Sequence, residues 1–192
     1  MGKVDSAAKE YFSNNKRFAD LCNYVLFDGE EVILPDSLKE KDTTEVLSVF
    51  GADKKQAYFQ KWRDLLKSAV IKSCNNVYIM IVGAEAQANV HYAMPVKNMI
   101  YDSLNYGDQV RKIARKHKEE NDTSTEDEFL SGFTAEDKLI PVITITVYLG
   151  DKDWDGPRKL SDMYTDVDER LKPFLTEFNN FLARNPPPLS VA

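Results

Sequence analysis

The stretch from Val77 to Gln87, with the sequence Val-Tyr-Ile-Met-Ile-Val-Gly-Ala-Glu-Ala-Gln, constrains the fold of this chain more than any other. Its first six residues are apolar or aromatic, rich in β-branched types and free of proline, which predicts a strand buried on both faces. Glu85 and Gln87 then follow two positions apart, and such residues point to the same face of a strand. We expect a carboxylate and an amide side by side at the end of a buried strand, although a strand that simply reaches solvent gives the same pattern.

The segment from Tyr58 to Ile71 precedes this strand and is separated from it by the turn-like sequence Ser73-Cys74-Asn75-Asn76. Its pattern fits a helix or a strand, and we predict a strand because consecutive elements usually pair. A hairpin would place Asp64 opposite the region of Glu85, with Cβ atoms about 5 Å apart. Two carboxylates at that distance repel each other unless a cation lies between them, and a divalent metal ion is the usual cation.

The length and composition fit one globular domain, or one domain plus an extension. The chain has 192 residues, of which 43% are hydrophobic and 29% charged, and this length suffices for a sizeable core. It contains no uncharged apolar run of about 18 residues, and its first residues lack the apolar core of a secretory signal. We therefore expect a cytoplasmic protein that does not enter a membrane. Cys22 and Cys74 have no second Cys or His at metal-binding spacing, which predicts buried free thiols.

The net charge of −6 argues against a protein that coats nucleic acid by bulk attraction, because phosphate binding needs clustered Lys and Arg. One dense basic cluster is nevertheless present, formed by Arg111, Lys112, Arg115, Lys116, His117 and Lys118. It falls at the end of a predicted helix, where the helix dipole favours cations. The cluster is therefore either a solvated helix end or a patch that faces phosphate.

Hydrophobic spacing assigns the remaining segments. The predicted elements are one kinked or two successive helices from Val4 to Phe27 with a break at Asn14-Asn15, a short helix near Val46 to Phe50, a helix from Met94 to about residue 116, a strand from Leu139 to Gly150, and a helix from Leu160 to Ala183 that Pro173 kinks or divides. Lys97 and Tyr101 lie one turn apart on the helix that starts at Met94. They are either a surface lysine and a packing tyrosine or groups that approach the carboxylate end of the sheet.

With these elements in order, the chain resembles the PD-(D/E)xK nuclease superfamily. The resemblance is greatest to the Rpn-type branch, which contains recombination-promoting, transposase-like nucleases. The segments that carry it are Arg17 to Leu21, Arg63 to Leu66, Glu85 to Gln87, His91 to Asn98, and Leu139 to Thr144 followed by Trp154 to Arg158. The three-residue signature is common by itself, whereas the ordered set of five is much more specific.

The resemblance implies an α/β fold with a restriction-endonuclease-like αβββαβ core, in which helices flank a mixed sheet, here with an extra C-terminal helix. It also implies a Mg²⁺-dependent endonuclease that hydrolyses phosphodiester bonds of DNA. Asp64 and Glu85 match the acidic positions of the family and would bind the metal, together with the carbonyl group of Ala86. Mg²⁺ suits a site built from oxygen ligands alone.

The same resemblance assigns roles around the metal. Gln87 stands where many members of the superfamily have lysine, and in the Rpn-type branch glutamine is common there. A neutral amide can orient an attacking water molecule but cannot offset negative charge as a lysine does, so more of that task falls to the metal. Lys97, Tyr101 and Arg63 would lie near the phosphate of the substrate.

The first helix departs from the family pattern. Many relatives carry Asp-x-x-Phe-Lys there, whereas this chain has Asn15, Phe18 and Ala19 at the matching positions. Asp20 lies nearby, so Asp20 or Asn15 is a candidate for the polar contact that the first helix supplies in the family.

The domain organisation follows from these assignments. We expect a single nuclease-like domain over residues 1–185, with an insertion at 28–57 and a mobile loop at 119–137. The proline-rich tail 186–192 leaves open the loss of a C-terminal part, because relatives of this branch run longer.

Two other kinds of protein fit the same residues. One is a catalytically decayed nuclease fold that acts as a DNA-binding or protein-interaction module, in keeping with the acidic net charge and the missing lysine. The other is a structural domain in which Asp64 and Glu85 never meet. The oligomeric state stays open, with a homodimer as one option.

Overall fold

A computed structural model describes residues 3–41, 44–48, 58–62, 65–73 and 76–184 of the chain. Within these ranges the fold is α/β: a five-stranded mixed sheet is flanked by helices, and two further strands form a separate sheet. The predicted α/β class with a mixed sheet is thereby confirmed.

Four helices and seven strands make up the regular structure of the described residues. In chain order they are α1 (Lys3–Ser13), α2 (Asn15–Leu26), β1 (Lys39–Glu40), β2 (Thr44–Ser48), β3 (Tyr58–Trp62), β4 (Leu65–Ser73), β5 (Asn76–Gln87), α3 (Met94–Glu120), α4 (Glu126–Ser131), β6 (Val142–Tyr148) and β7 (Phe181–Arg184). Short 3-10 turns add Pro35–Ser37, Leu160–Met163 and Lys172–Phe174.

The large sheet has the strand order β1-β4-β5-β6-β7. Strand β4 pairs antiparallel with β1 and with β5, and the predicted hairpin of β4 and β5 runs from Leu65 opposite Ala84 to Ser73 opposite Asn76. Strands β5, β6 and β7 are parallel to one another. Because parallel neighbours need a crossover connection, α3 bridges β5 and β6, and it packs against β6.

Strand β5 is buried on both faces from Met80 to Ala86, whereas Ile79, within the run that the sequence predicts to be buried, is 46% exposed. Met80, Val82 and Ala84 contribute to the main apolar core, together with residues of α1 and α2 such as Phe18. The side chains between them face α3, where Ile81 belongs to a second, smaller cluster that includes Tyr106 of that helix. Alternate residues of β5 therefore serve two different layers.

The break predicted at Asn14-Asn15 separates α1 from α2. Asn14 is the N-cap of α2, and its side chain accepts hydrogen bonds from the backbone N–H groups of Lys16 and Arg17, at 2.9 and 3.2 Å. An asparagine in this position satisfies amides that have no partner within the helix.

Three predicted segments differ from the structure in the type or number of their elements. The short helix expected near Val46 is strand β2, which pairs with β3, while residues 49–50 lie outside the described ranges. The single strand expected from Tyr58 to Ile71 contains two strands, β3 and β4, in different sheets. The loop predicted at 119–137 contains α4, which begins with a capping box between Thr125 and Glu128. Hydrophobic periodicity alone does not distinguish a short helix from a strand, divide one strand from the next, or reveal a capping box.

The prediction of a C-terminal helix from residue 160 to 183 is wrong. The chain forms two short 3-10 turns there and then strand β7. Pro173 has no N–H to donate and restricts the residue before it, and Phe174 of the expected apolar stripe is 83% exposed, so the stripe does not face the core. The backbone N–H of Asn180 donates to the carbonyl of Arg158 at 2.7 Å instead, which keeps this part extended.

Cys22 is a buried free thiol, as predicted, and burial raises its pKa. Cys74 lies outside the described residues. The longest helix, α3, has 27 residues and a polar composition. No helix in the described parts of the chain combines the length and the apolar character needed to cross a membrane.

Lys67 of β4 is completely buried beneath the junction of α1 and α2. Its ammonium group donates to the carbonyl oxygen of Ser13 at 2.6 Å and to Oδ1 of Asn15 at 2.7 Å, and it lies 5.1 Å from the centre of the Phe18 ring. Burial lowers the pKa of Lys67, and the carboxylate of Glu40, 3.9 Å away, acts in the opposite direction. The ammonium group thus joins the end of α1 and the start of α2 to the sheet.

We expect Lys67→Met to destabilise the protein by about 1–3 kcal/mol, because two oxygens lose a charged donor. Chemical denaturation with a two-state fit measures the free energy of unfolding. Lys39→Met in the neighbouring strand β1 is the matched control, since Lys39 is exposed. An increase in stability would mean that the cost of burying the ammonium group exceeds the benefit of its hydrogen bonds.

His117, near the end of α3, lies between two carboxylates. Its Nδ1 is 2.6 Å from Oδ1 of Asp122, and its Nε2 is 2.8 Å from Oδ2 of Asp137. The hydrogen bonds to Asp122 and then to Asp137 raise the pKa of His117. The pKa of Asp137 is lowered, chiefly because Asp137 accepts a hydrogen bond from the backbone N–H of Thr134. The imidazolium form therefore joins α3 to the segment before β6.

The His117 contacts predict a pH dependence. Because the folded-state pKa of His117 exceeds the unfolded value of about 6.5, the stabilisation is fully present below that pH and is lost as the pH rises through the folded pKa. NMR titration of the His117 ring should show a lower midpoint in Asp122→Asn than in the wild type. Asp127→Asn, in exposed α4, should leave the midpoint unchanged. Equal midpoints in the wild type and Asp122→Asn would contradict this account.

Candidate functional site

Glu85 lies near the end of β5 on the face that α3 covers, and only 3% of it is exposed. In the parallel register its neighbour on β6 is Thr146. A carboxylate buried to this degree needs compensating donors or cations, because it has lost most of its hydration. The sequence places it here because the residues before it alternate between the two faces of the strand without interruption.

Lys97 supplies one such compensation. Its Nζ lies 2.7 Å from Oε2 of Glu85, a distance that fits a charge-assisted hydrogen bond. Lys97 is in the first turn of α3, which begins at Met94-Pro95 as predicted, and proline suits that position. Its side chain is 20% exposed, so the pair lies at the edge of the layer between helix and sheet, within reach of solvent.

Tyr101 follows Lys97 one turn later on α3 and is 3% exposed. The ammonium group of Lys97 lies 5.8 Å from the centre of the Tyr101 ring. Of the two readings left open by the sequence, the structure favours the one in which Lys97 approaches the carboxylate end of the sheet, while Tyr101 packs in the interior. Their contact with a phosphate group stays a prediction.

The other residues predicted for the site divide into two groups. Gln87 is half-buried at the end of β5, and its backbone oxygen accepts a hydrogen bond from the N–H of Leu149 at 2.9 Å. Ala86, whose carbonyl group is a predicted metal ligand, is 8% exposed. Arg63 and Asp64 lie outside the described residues, so the predicted meeting of Asp64 with Glu85 is not tested.

The metal prediction can be compared with the chemistry of the described groups. Near Glu85 these offer a carboxylate and backbone carbonyls, the oxygen donors that Mg²⁺ prefers, and Mg²⁺ commonly binds to one or two carboxylates and completes its shell with water and phosphate. Among the described residues, no three or more His, Cys, Asp or Glu side chains form a group that could bind a metal ion. The donors present thus fit Mg²⁺ in kind. The ammonium group of Lys97 already contacts one oxygen of this carboxylate, so a metal ion would share Glu85 with it.

A layer of polar side chains is buried between α3 and β6, beside the Glu85–Lys97 pair. Asn98 Nδ2 donates to Oγ1 of Thr146 at 2.9 Å and to Oδ1 of Asn180 at 3.1 Å, and Thr146 Oγ1 donates to Asn180 Oδ1 at 2.7 Å. One turn further along α3, Asp102 accepts a hydrogen bond from Thr144 Oγ1 at 2.6 Å. The sequence patterns do not indicate a role for Asn98, Asp102 or Asn180. The only available signal was the repeat of polar residues at the core-facing positions 98, 102 and 105 of α3.

Two of the segments that carry the family resemblance meet beside the start of α3. The Tyr92 hydroxyl lies 3.1 Å from both carboxylate oxygens of Asp155, and this hydrogen bond raises the pKa of Tyr92. Trp154 packs edge-on against Tyr148, with ring centres 5.2 Å apart. A Cβ atom at Gly156 would lie 3.0 Å from a methyl group of Val90, so the two loops approach closely at this glycine.

Five of the six residues in the basic cluster of α3 lie beside carboxylates of their own surroundings. Arg111 and Lys112 both pair with Asp108, and Arg115 and Lys116 lie within 4 Å of the glutamates one turn further on. His117 contacts Asp122 and Asp137. This arrangement favours a solvated helix end over a patch that faces phosphate.

The first-helix candidates lie on the other face of the sheet. Asn15 accepts a hydrogen bond from Lys67 and donates to the carbonyl of Leu38 at 3.3 Å. Because Lys67 and Leu65 share the face covered by α1 and α2, Asn15 is directed away from the face on which Glu85 lies. Asp20 is half-buried on α2, and its role stays a prediction.

Comparison of the chain with protein-family models, with curated proteins and with solved structures finds no match. The resemblance to Rpn-type nucleases therefore stays a prediction from the sequence segments named above.

Proposed function

We propose that this protein is a Mg²⁺-dependent DNA endonuclease of the Rpn-type, PD-(D/E)xK kind. The observation that carries the proposal is the contact of Lys97 with Glu85 at the end of the central strand, 2.7 Å between Nζ and Oε2. It places an acidic group and a cation together in a partly solvent-accessible position, and metal-dependent phosphodiester hydrolysis uses acidic metal ligands and nearby positive charge.

The order of elements supports the same proposal. Helices α1 and α2 are followed by the antiparallel strands β1, β4 and β5, then by α3 and by the parallel strand β6. This order agrees with an αβββαβ core in which the β2–β3 pair is an insertion between the first and second core strands. Strands β2 and β3 lie at residues 44–48 and 58–62, whereas the segment 28–57 predicted as an insertion also contains β1.

Asp64 directly precedes β4, whose first described residue, Leu65, pairs with Ala84. One further step in the same register would pair Asp64 with Glu85, and cross-strand partners share a face of the sheet. In the proposed site Asp64, Glu85 and the Ala86 carbonyl hold Mg²⁺. When bound, the metal ion lowers the pKa of a coordinated water molecule and offsets negative charge on the phosphate.

Lys97 takes over, in this proposal, the cationic role that Gln87 lacks. A neutral amide orients a water molecule, whereas the Lys97 ammonium group provides positive charge beside Glu85 from the first turn of α3. In this proposal Gln87 on β5 orients the water molecule and Lys97 on α3 provides the positive charge, whereas one lysine performs both tasks elsewhere in the superfamily. Arg63 and Tyr101 remain the candidates for further contacts with DNA.

A second candidate function is a decayed nuclease fold that acts as a DNA-binding or protein-interaction module. The Glu85–Lys97 ion pair is also compatible with this second function, because each of the two groups compensates the charge of the other. The carboxylates beside most of the basic cluster make strong DNA binding at that cluster less favourable, so a module of this kind would depend on other contacts.

A plasmid-nicking assay tests the nuclease proposal. We expect the wild type to convert supercoiled plasmid to the open form only with Mg²⁺, and Asp64→Ala and Glu85→Gln to abolish the conversion, because each removes a carboxylate from the proposed site. Glu119→Gln, on the exposed end of α3, should retain full activity. Circular dichroism confirms that each variant is folded.

Equal cleavage by the wild type and Asp64→Ala would refute the assignment of that residue. A folded wild type that binds DNA in a salt-sensitive manner, without cleavage in Mg²⁺, would favour the decayed module.

The shared carboxylate predicts competition between Lys97 and the metal ion. We expect Lys97→Met to bind Mg²⁺ roughly fivefold more tightly than the wild type, since about 1 kcal/mol is typical of a partly exposed ion pair. The same variant should lose nicking activity by at least about a hundredfold. Calorimetry measures Mg²⁺ binding, and Lys112→Met, about 22 Å further along α3, is the control. Unchanged affinity in Lys97→Met would show that the ammonium group does not compete for Glu85.

A further inference from the structure

The triangle formed by Asn98, Thr146 and Asn180 joins three separate parts of the chain. Asn98 belongs to α3, Thr146 to β6, and Asn180 directly precedes β7. Three hydrogen bonds of 2.7–3.1 Å connect them, and their exposed fractions are 0%, 0% and 6%. Neither α3 nor the C-terminal segment can shift along β6 without breaking at least one of these bonds.

The triangle also adjoins both members of the Glu85–Lys97 pair. Asn98 follows Lys97 directly in the first turn of α3, and Thr146 is the neighbour of Glu85 in the register of β5 and β6. The bond from Asn98 to Thr146 therefore runs beside the bond from Lys97 to Glu85, and both connect the same helical turn to the same end of the sheet. The position of the ammonium group depends on that turn.

The energetics of the triangle favour a role other than stability. Asn98 Oδ1 and Asn180 Nδ2 are buried and have no hydrogen-bond partner within the described structure. A buried amide atom without a partner is costly, and apolar side chains of similar volume would avoid this cost. Proteins accept such local costs mostly at functional sites.

The C-terminal segment holds Asn180 firmly in place. The N–H of Asn180 donates to the carbonyl of Arg158 at 2.7 Å, the N–H of Leu160 donates to the carbonyl of Phe178 at 2.9 Å, and Lys159 forms an isolated β-bridge with Asn179. The carboxamide oxygen of Asn180 accepts hydrogen bonds from Asn98 and Thr146, the other two members of the triangle. The segment that was predicted to be a helix thus supplies the third corner of the triangle.

We propose that Asn98, Thr146 and Asn180 are positioning residues that fix the Lys97 ammonium group against the Glu85 carboxylate, with Asn180 contributed by the C-terminal segment. The effect on catalysis rests on the proposed nuclease function. The effect on the geometry of Lys97 does not, and it can be measured without any activity.

The first arm of the test observes Lys97 directly. An assigned ¹H–¹⁵N spectrum of lysine ammonium groups should show a slowly exchanging signal for Lys97 in the wild type. The signal should disappear in Asn180→Leu and in Thr146→Val, which removes the hydroxyl group at constant shape, and should persist in Thr146→Ser. Should Asn180→Leu fail to fold, Thr146→Val together with Thr146→Ser decides the question.

Asn23→Leu is the matched control for a general loss of stability. Asn23 is an equally buried asparagine on the other side of the sheet, where its side chain bonds to the backbone of Val32 and Ile33. This variant should lower the thermal midpoint yet leave the Lys97 signal in place. A Lys97 signal that persists in Asn180→Leu or in Thr146→Val, or that Asn23→Leu removes as well, would overturn the proposal.

The second arm measures nicking. In Thr146→Val and Asn180→Leu we expect kcat to fall roughly 10- to 100-fold, the usual effect of removing a group that orients another, with little change in KM and recovery in Thr146→Ser. Loss of the Lys97 signal without nicking by any form, the wild type included, would support the positioning role and reject the nuclease. Full kcat in both variants would overturn the positioning role in catalysis.

Discussion

A carboxylate can stay in the interior of a protein only if other groups replace the water that it has lost. Glu85 meets this condition through Lys97, and the condition determines much of the surrounding architecture: the end of β5, the first turn of α3 and the neighbouring position on β6 must keep a fixed relation. The loop before α3, joined to Asp155 through Tyr92, fixes where the helix begins. One ion pair thereby connects the crossover helix to the centre of the sheet.

The two faces of the sheet each use a lysine, in different ways. Lys67 is buried beneath α1 and α2, where its ammonium group donates to the carbonyl oxygen of Ser13 and to the side-chain oxygen of Asn15. Burial lowers its pKa. Lys97 keeps a fifth of its side chain exposed and contacts a carboxylate. The first arrangement joins α1 and α2 to the sheet and leaves the ammonium group without access to solvent. The second leaves part of the Lys97 side chain within reach of solvent beside a buried carboxylate.

The sequence predicted those parts of the fold that depend on local chemistry. The central strand followed from a run of β-branched residues, the α1–α2 break from Asn14, the start of α3 from Pro95, and the β4–β5 hairpin from the turn between them. It failed where the outcome depends on distant partners. The apolar spacing after Leu160 suits a helix. Hydrogen bonds of Asn180 with Arg158 and with Thr146 instead keep that segment extended beside the sheet. For the same reason Lys97 could be placed on α3 from the sequence, whereas the buried amides around it could not.

The triangle of Asn98, Thr146 and Asn180 has a consequence for the order in which the molecule assembles. Its corners are 48 and 34 residues apart along the chain, so none of its bonds forms within a local element. Contacts between distant residues form late, since loop closure must precede them. A polypeptide that emerges from the ribosome therefore has its central strand and crossover helix long before the environment of Lys97 is complete. The third residue, Asn180, follows only with the segment before β7, so the charged pair would reach its final geometry only after that segment has left the ribosome.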